Sequence, residues 1–218
     1  FNSWMQTVSV KGLEFLKGQQ TDPEIMRLRG VRLNTWKEQA ITAGITAIES
    51  SARLVSASAR PVFLERIAPL IKEFKINTET QYQSAWRSGA LMAGLAPLPL
   101  PKLRLGEAEK NAARIYPHRL LPGPIGLGTI PDTLRAKAAE LIGWSSQEYW
   151  ILGDPGTDLY FLDGKRSVLE MAKAIWTRAP FSGPEDPTAL TKLCDKYSRL
   201  VDFLEACQLV EVRRDVQI

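Results

Sequence analysis

The sequence predicts a mainly α-helical protein, a helical bundle followed by a winged helix-turn-helix-like unit with a short β element. Three observations predict this. Apolar residues recur at spacings of three and four from Leu33 to Val55 and again from Leu190 to Leu204, the repeat that turns one helix face into a core. A Pro- and Gly-rich stretch at 96–130 interrupts the helical texture, because neither residue suits the interior of a helix. The closing run "LVEVRR" alternates apolar and polar residues, as an edge strand does.

In the first region, 1–95, "VSVKGLEFL" places Val8, Val10, Leu13, Phe15 and Leu16 on a helical stripe that Gly12 weakens. "TDPEIM" starts a second helix. Thr21 or Asp22 caps it, Pro23 takes the first position, where a missing N–H costs nothing, and Glu24 suits the helix dipole. The stripe Leu33, Trp36, Ala40, Ile41, Gly44, Ile45, Ile48, Ala52 and Val55 carries this helix to about Ala59, with a bend at Gly44. Pro61 opens another helix lined by Phe63, Leu64, Ile67, Leu70, Ile71 and Phe74, and Pro69 should break or kink it. Asn77 or Thr78 then caps a further helix that stops near Gly94. The sum is an antiparallel bundle of four or five helices.

Residues 96–130 are too apolar for a solvated spacer and read as an ordered strap laid across a protein surface. The third region, 131–218, opens with the helix "PDTLRAKAAELIGW", ends it near Gly143 and turns at "GDPG". "DLYFLDG" is a short extended segment closed by Asp163-Gly164. Ser167 and Glu170 have capping-box spacing at the start of a helix whose Val168, Met171, Ala172 and Ile175 share a face. A last helix, about Pro187 to Cys207, leads into the edge strand.

The chain has 218 residues, 44% of them apolar, so it is long enough to bury a sizeable core. It contains no apolar run long enough to span a membrane, and "FNSWMQTVSV" lacks the basic and apolar regions of a secretory signal. A first residue of Phe rather than Met fits a fragment or a processed product. Cys194 and Cys207 are thirteen positions apart on one helix and its exit, too far along the axis for a disulfide. They read as reduced, buried thiols of a cytoplasmic protein. The net charge of +4 is spread among interspersed charges of both signs, which describes a mixed solvated surface.

His118 is the only histidine and has no Cys or paired carboxylates at ligand spacing. No metal and no cofactor is expected from this pattern. There is no G-x-S-x-G, and "PGPIGLG" lacks the following Lys-Ser/Thr of a phosphate loop. Trp36, Trp86, Trp144, Trp150 and Trp176 fall on apolar helical faces, where packing explains them better than base stacking. Lys165-Arg166 and Arg213-Arg214 are the basic pairs of the winged unit and could contact phosphates. Asp195, Asp202, Glu205 and Glu211 around them would be repelled by a nucleic-acid backbone.

Taken together, "YPHRLLPGPIG", a helix, an aromatic stretch, "FLDGKRSVLEMAKAIW" and a helix closing with "FLEACQLVEVRR" resemble the C-terminal tail of bacterial zinc aminopeptidase-like proteins. In that tail an Arg-x-x-x-Gly-Pro strap precedes a winged-helix-like unit bearing a D-G-K-R-[ST] turn. The matching residues are Arg119, Gly123, Pro124, Asp163, Gly164, Lys165, Arg166 and Ser167. Trp4 through Gly89 is similar to the bundle that follows the peptidase domain. The family's two-zinc centre lies in an α/β domain whose His and acidic ligands have no counterpart here, so the resemblance carries over no catalytic residue. It implies a non-catalytic accessory module with a protein partner, either an adjacent peptidase-like domain or a second copy. Arg119, Asp163, Lys165, Arg166 and Trp176 are its expected interface residues. The alternative is a winged-helix nucleic-acid-binding regulator using Lys165, Arg166, Arg213 and Arg214.

Overall fold

The structure is a computed structural model that describes residues 22–92, 94–96, 99–121, 131–134, 136, 162–178 and 186–215. The helix expected at Val8–Leu16, most of that expected at 131–143, and the "GDPG" turn lie outside the described residues. Those described are mainly helical, with one short two-stranded sheet. They divide between Leu103 and Arg104 into two compact units.

The first unit is built on two long helices, α1 (Pro23–Ser50) and α2 (Arg60–Met92). Asp22 caps α1 by accepting a hydrogen bond from the Glu24 N–H at 2.8 Å, which satisfies one of the orphan donors of the first turn. Three contacts fix the antiparallel arrangement. Trp86 packs beside Gly30, the Trp36 ring meets Tyr82 edge-on with centroids 5.9 Å apart, and Phe74 lies over Gly44. The position on α2 falls as that on α1 rises. Met26, Leu33, Ala40, Tyr82, Trp86 and Leu100 form the core of this hairpin.

Gly30 has a steric role. A Cβ there would lie 2.7 Å from the Pro101 ring and 2.8 Å from Trp86, so its absence lets residues 99–103 close over the hairpin. The Leu100 N–H also donates to Gln83 Oε1 at 3.3 Å. From Arg29 to Thr35, α1 is buried around its whole circumference.

The sequence predicts three helices over 22–94, and the structure has two. The first stops at Ser50, followed by a 3-10 turn (Ser51–Leu54), rather than running to Ala59. Ser50 Oγ donates to the Ala47 carbonyl and Ser51 Oγ to that of Ile48, hydrogen bonding that competes with helix propagation. Arg60 Nε donates back to the Ala52 carbonyl at 3.2 Å and holds the reversal. Pro69 does not end its helix: α2 continues through it. Pro69 and Glu65, whose carbonyl loses its partner, are both exposed, so water can hydrogen-bond that group while Ile67, Phe74, Thr78 and Tyr82 stay buried on the other side. Thr78 is no cap. Its hydroxyl donates to the Phe74 carbonyl at 2.8 Å within the helix.

Among its described residues the second unit runs α3 (Glu107–Ala112), β1 (Ile115–Arg119), α4 (Val168–Arg178), α5 (Ala189–Ala206), β2 (Val210–Arg214), with further helical residues at 132–134 and 136 between β1 and α4. Its first helix and strand come from the stretch read as a strap. β1 and β2 pair antiparallel with Pro117 opposite Val212. The Leu120 N–H donates to the Leu209 carbonyl and the Asp215 N–H to that of Arg114, so even-numbered residues of β1 face β2. Pro117 therefore points its missing donor away from the ladder, where a strand tolerates proline. Val168, Met171, Tyr197, Val201 and Leu204 fill the core between α4 and α5, each such side chain contributing about 1.5–3 kcal/mol on burial. Buried Glu109 of α3 accepts a hydrogen bond from Thr191 Oγ1 of α5.

Candidate interaction site

The segment 162–167 is fixed from two sides. On its strand side, the Arg119 N–H donates to the Leu162 carbonyl at 3.0 Å and the Gly164 N–H to the Pro117 carbonyl at 2.9 Å, placing Asp163 opposite His118 on the outer side of β1. On its helix side, Asp163 Oδ1 accepts from the Lys165 N–H at 2.9 Å and the Arg166 N–H at 3.0 Å. Gly164 turns the chain at φ +73°, and a Cβ there would sit 3.2 Å from the imidazole of His118. Both the left-handed backbone and the close approach call for glycine.

The capping box follows at once. The Ser167 N–H donates to Glu170 Oε2 at 2.7 Å, and the Glu170 N–H donates to Ser167 Oγ at 3.3 Å. The Ser167 N–H and, in the first turn of α4, the Glu170 N–H are thus taken by the chain's own side chains. Lys165 is exposed, and among the described residues its ammonium has no acidic partner within 4 Å. Arg166 lies 3.5 Å from Asp163 Oδ2.

The other expected residues are placed as follows. Arg119, half-buried, lies in β1 and gives its N–H to the turn. Trp176 is 7% exposed and packs in the interior. Arg213 stacks over Tyr116 at 4.5 Å from the ring centroid and pairs with Asp215 at 3.4 Å. Arg214 bridges Asp202 at 2.8 Å and Glu205 at 2.7 Å. Hydrogen bonds that it donates to Glu205, then to Asp202, hold its pKa above the ordinary arginine value. The turn thus brings Asp163, Lys165 and Arg166 together beside Arg119, while the two cations of β2 are engaged by α5, Tyr116 and Asp215.

Cys194 and Cys207 are free and buried. Burial, with Glu109 and Asp195 nearby, pushes the Cys194 thiol up to about 12, far from the thiolate a nucleophile needs. His118 is exposed on β1, with Glu211 as its cross-strand neighbour. Among the described residues no three of His, Cys, Asp and Glu come together as a metal-binding group, and no helix is long and apolar enough to cross a membrane.

Three features of this unit were not legible in the sequence. β1 is hidden by its proline. The Glu109–Thr191 bond joins residues 82 positions apart. Lys192, Lys196 and Arg199, spaced four and three along the first half of α5, form a basic stripe whose Lys192 pairs with Asp186 at 2.8 Å. Only that last spacing offered a signal. Comparison with family models, with curated proteins and with solved structures gives no match to this chain.

Proposed function

We propose that the chain is a non-catalytic interaction module that presents the Asp163–Ser167 turn to a protein partner. The observation that carries the reading is the use of Asp163: its carboxylate closes the turn on two backbone N–H groups, and Lys165 is thereby displayed from a rigid base. Such a group positions the turn. The resemblance to the tail of zinc aminopeptidase-like proteins names the partner, a peptidase-like domain that the module supports or whose access it restricts. Among the described residues the named elements run α-β-α-α-β, with further helical residues at 132–134 and 136 between β1 and α4; a winged-helix-like unit is the reading we favour for them, a fold that by itself carries no function.

The test is to express the natural reading frame that contains this chain and cross-link it with a short amine-reactive reagent. Expected are cross-links from Lys165 to a domain bearing spaced His and Asp ligands, weakened several-fold by Asp163→Ala, which releases the turn. A reading frame without such a domain, or cross-links indifferent to Asp163→Ala, overturns the proposal.

A second reading is favoured by the same element order together with the stripe Lys192, Lys196 and Arg199: a winged-helix nucleic-acid-binding regulator. It requires retention on duplex DNA that falls steeply with salt and disappears when Lys165, Arg166, Arg213 and Arg214 are reversed together. Retention that ignores those reversals rejects it.

A further inference from the structure

The distal half of the hairpin is poorly matched to water. Leu54 is 88% exposed, Leu70 57% and Val62 53%, with Leu64 and Ile76 also on the surface. Between Ile41 and Ala52, α1 carries a single charge, Glu49. Leu64, Leu70 and Ile76 are six positions apart and so point to three different faces of α2, Leu70 alone among them sharing a face with Arg66 and Glu73.

The register of a partner is written on α2. Ile67, Phe74, Thr78 and Tyr82 are buried on one side of it, with Phe74 and Tyr82 meeting α1 at Gly44 and Trp36. The neighbouring stripe is Phe63, Arg66, Leu70, Glu73 and Asn77, at spacings of three, four, three and four, which keep side chains on one helix face. Arg66 and Glu73 are exposed, seven positions apart, and neither forms an ion pair with a described residue. They flank exposed Leu70 on opposite sides along the axis.

We propose that two copies of this chain associate through α2, crossing antiparallel at Leu70 about a two-fold axis. In that arrangement each Arg66 lies opposite the partner's Glu73, and the two Leu70 side chains meet at the centre. A parallel crossing would set Arg66 against Arg66 and Glu73 against Glu73, so the charge pattern selects the antiparallel pair. One helix about 10 Å across and about 20 Å long in this half gives a footprint on the order of 200 Å² before side-chain relief. That is short of the roughly 800 Å² per partner of a standard stable complex. The dimer therefore belongs among weak, concentration-dependent ones. It does not depend on the Asp163 turn or on a peptidase-like partner.

Sedimentation velocity of the full chain over about 1 to about 300 μM tests it, since this range brackets weak self-association. The expected result is a mass that doubles as concentration rises. Glu73→Arg alone should weaken association about tenfold or more, a change of roughly 1.4 kcal/mol. Arg66→Glu combined with Glu73→Arg should restore it, while circular dichroism confirms that both variants fold. A monomer throughout overturns the proposal, as does a dimer indifferent to Glu73→Arg or one the double exchange fails to rescue. Failure here leaves the Lys165 cross-link untouched, so the two proposals stand or fall separately.

Discussion

In the hairpin, helices of 28 and 33 residues meet along a seam whose contacts join distant positions, Gly30 with Trp86 and Gly44 with Phe74. In the second unit, the helices of 11 and 18 residues are fastened by polar side chains at or near their ends. Ser167 and Glu170 close α4, Asp186 fastens the turn before α5, and Arg214 clamps Asp202 and Glu205 near its C-terminus. The difference follows from length. A short helix has a large share of its backbone groups unpaired at the ends, so caps matter to it. A long helix tolerates Pro69 in its interior because many turns of packing offset one lost hydrogen bond.

The sharpest way to break this contrast is Trp86→Ala, which empties the centre of the hairpin core. Large-to-small changes of this kind cost about 3–5 kcal/mol. The loss should appear in denaturant unfolding, with the hairpin amides first to lose hydrogen-exchange protection. A cost below about 1 kcal/mol would mean that the seam does not hold the hairpin.

Ser167→Ala is the matching change in the second unit and should cost about 1 kcal/mol, as the loss of an N-cap does. Faster amide exchange should be confined to the first turn of α4. An effect that spreads to α1 and α2 would break the comparison.

The smallest expected effect is that of Asp186→Asn, and its dependence on pH gives it away. Hydrogen bonds from Lys192, then Thr188, hold the Asp186 carboxyl at about 2, below its ordinary value. A carboxylate depressed in the folded state stabilises above its unfolded pKa of about 3.9 and ceases to do so as pH falls through the folded value. Wild type should therefore exceed the variant in melting temperature by a constant margin above pH about 4. The margin should close between about 4 and about 2. A margin unchanged across that window would show that the carboxylate's charge is not what fastens the turn.

What the sequence disclosed divides along the same line. Asp22 with Glu24, Ser167 with Glu170, and Asp163 with Gly164 were legible because each is a bargain struck within four residues. The last helix was legible from its apolar spacing. Pro69 misled because its local rule is real but weaker than the packing of Ile67, Phe74 and Tyr82 on the opposite face. β1 was hidden because pairing with β2 across about a hundred residues decides whether a Pro-containing run is a strand. Arg214 read as a cation open to phosphate, since nothing local shows that Asp202 and Glu205 lie against it. Of the candidate site, the turn geometry could be foreseen, while the burial of Trp176 against the exposure of Lys165 needed the tertiary structure.

Pro117 does more than survive in its strand. If β1 slid by one residue against β2, the proline would face the ladder without a hydrogen to give, and the His118 side chain would swing from the surface toward the interior. A slip by one residue is thus barred by a missing atom. The turn hung from the Pro117 carbonyl keeps its place because its anchor cannot slip.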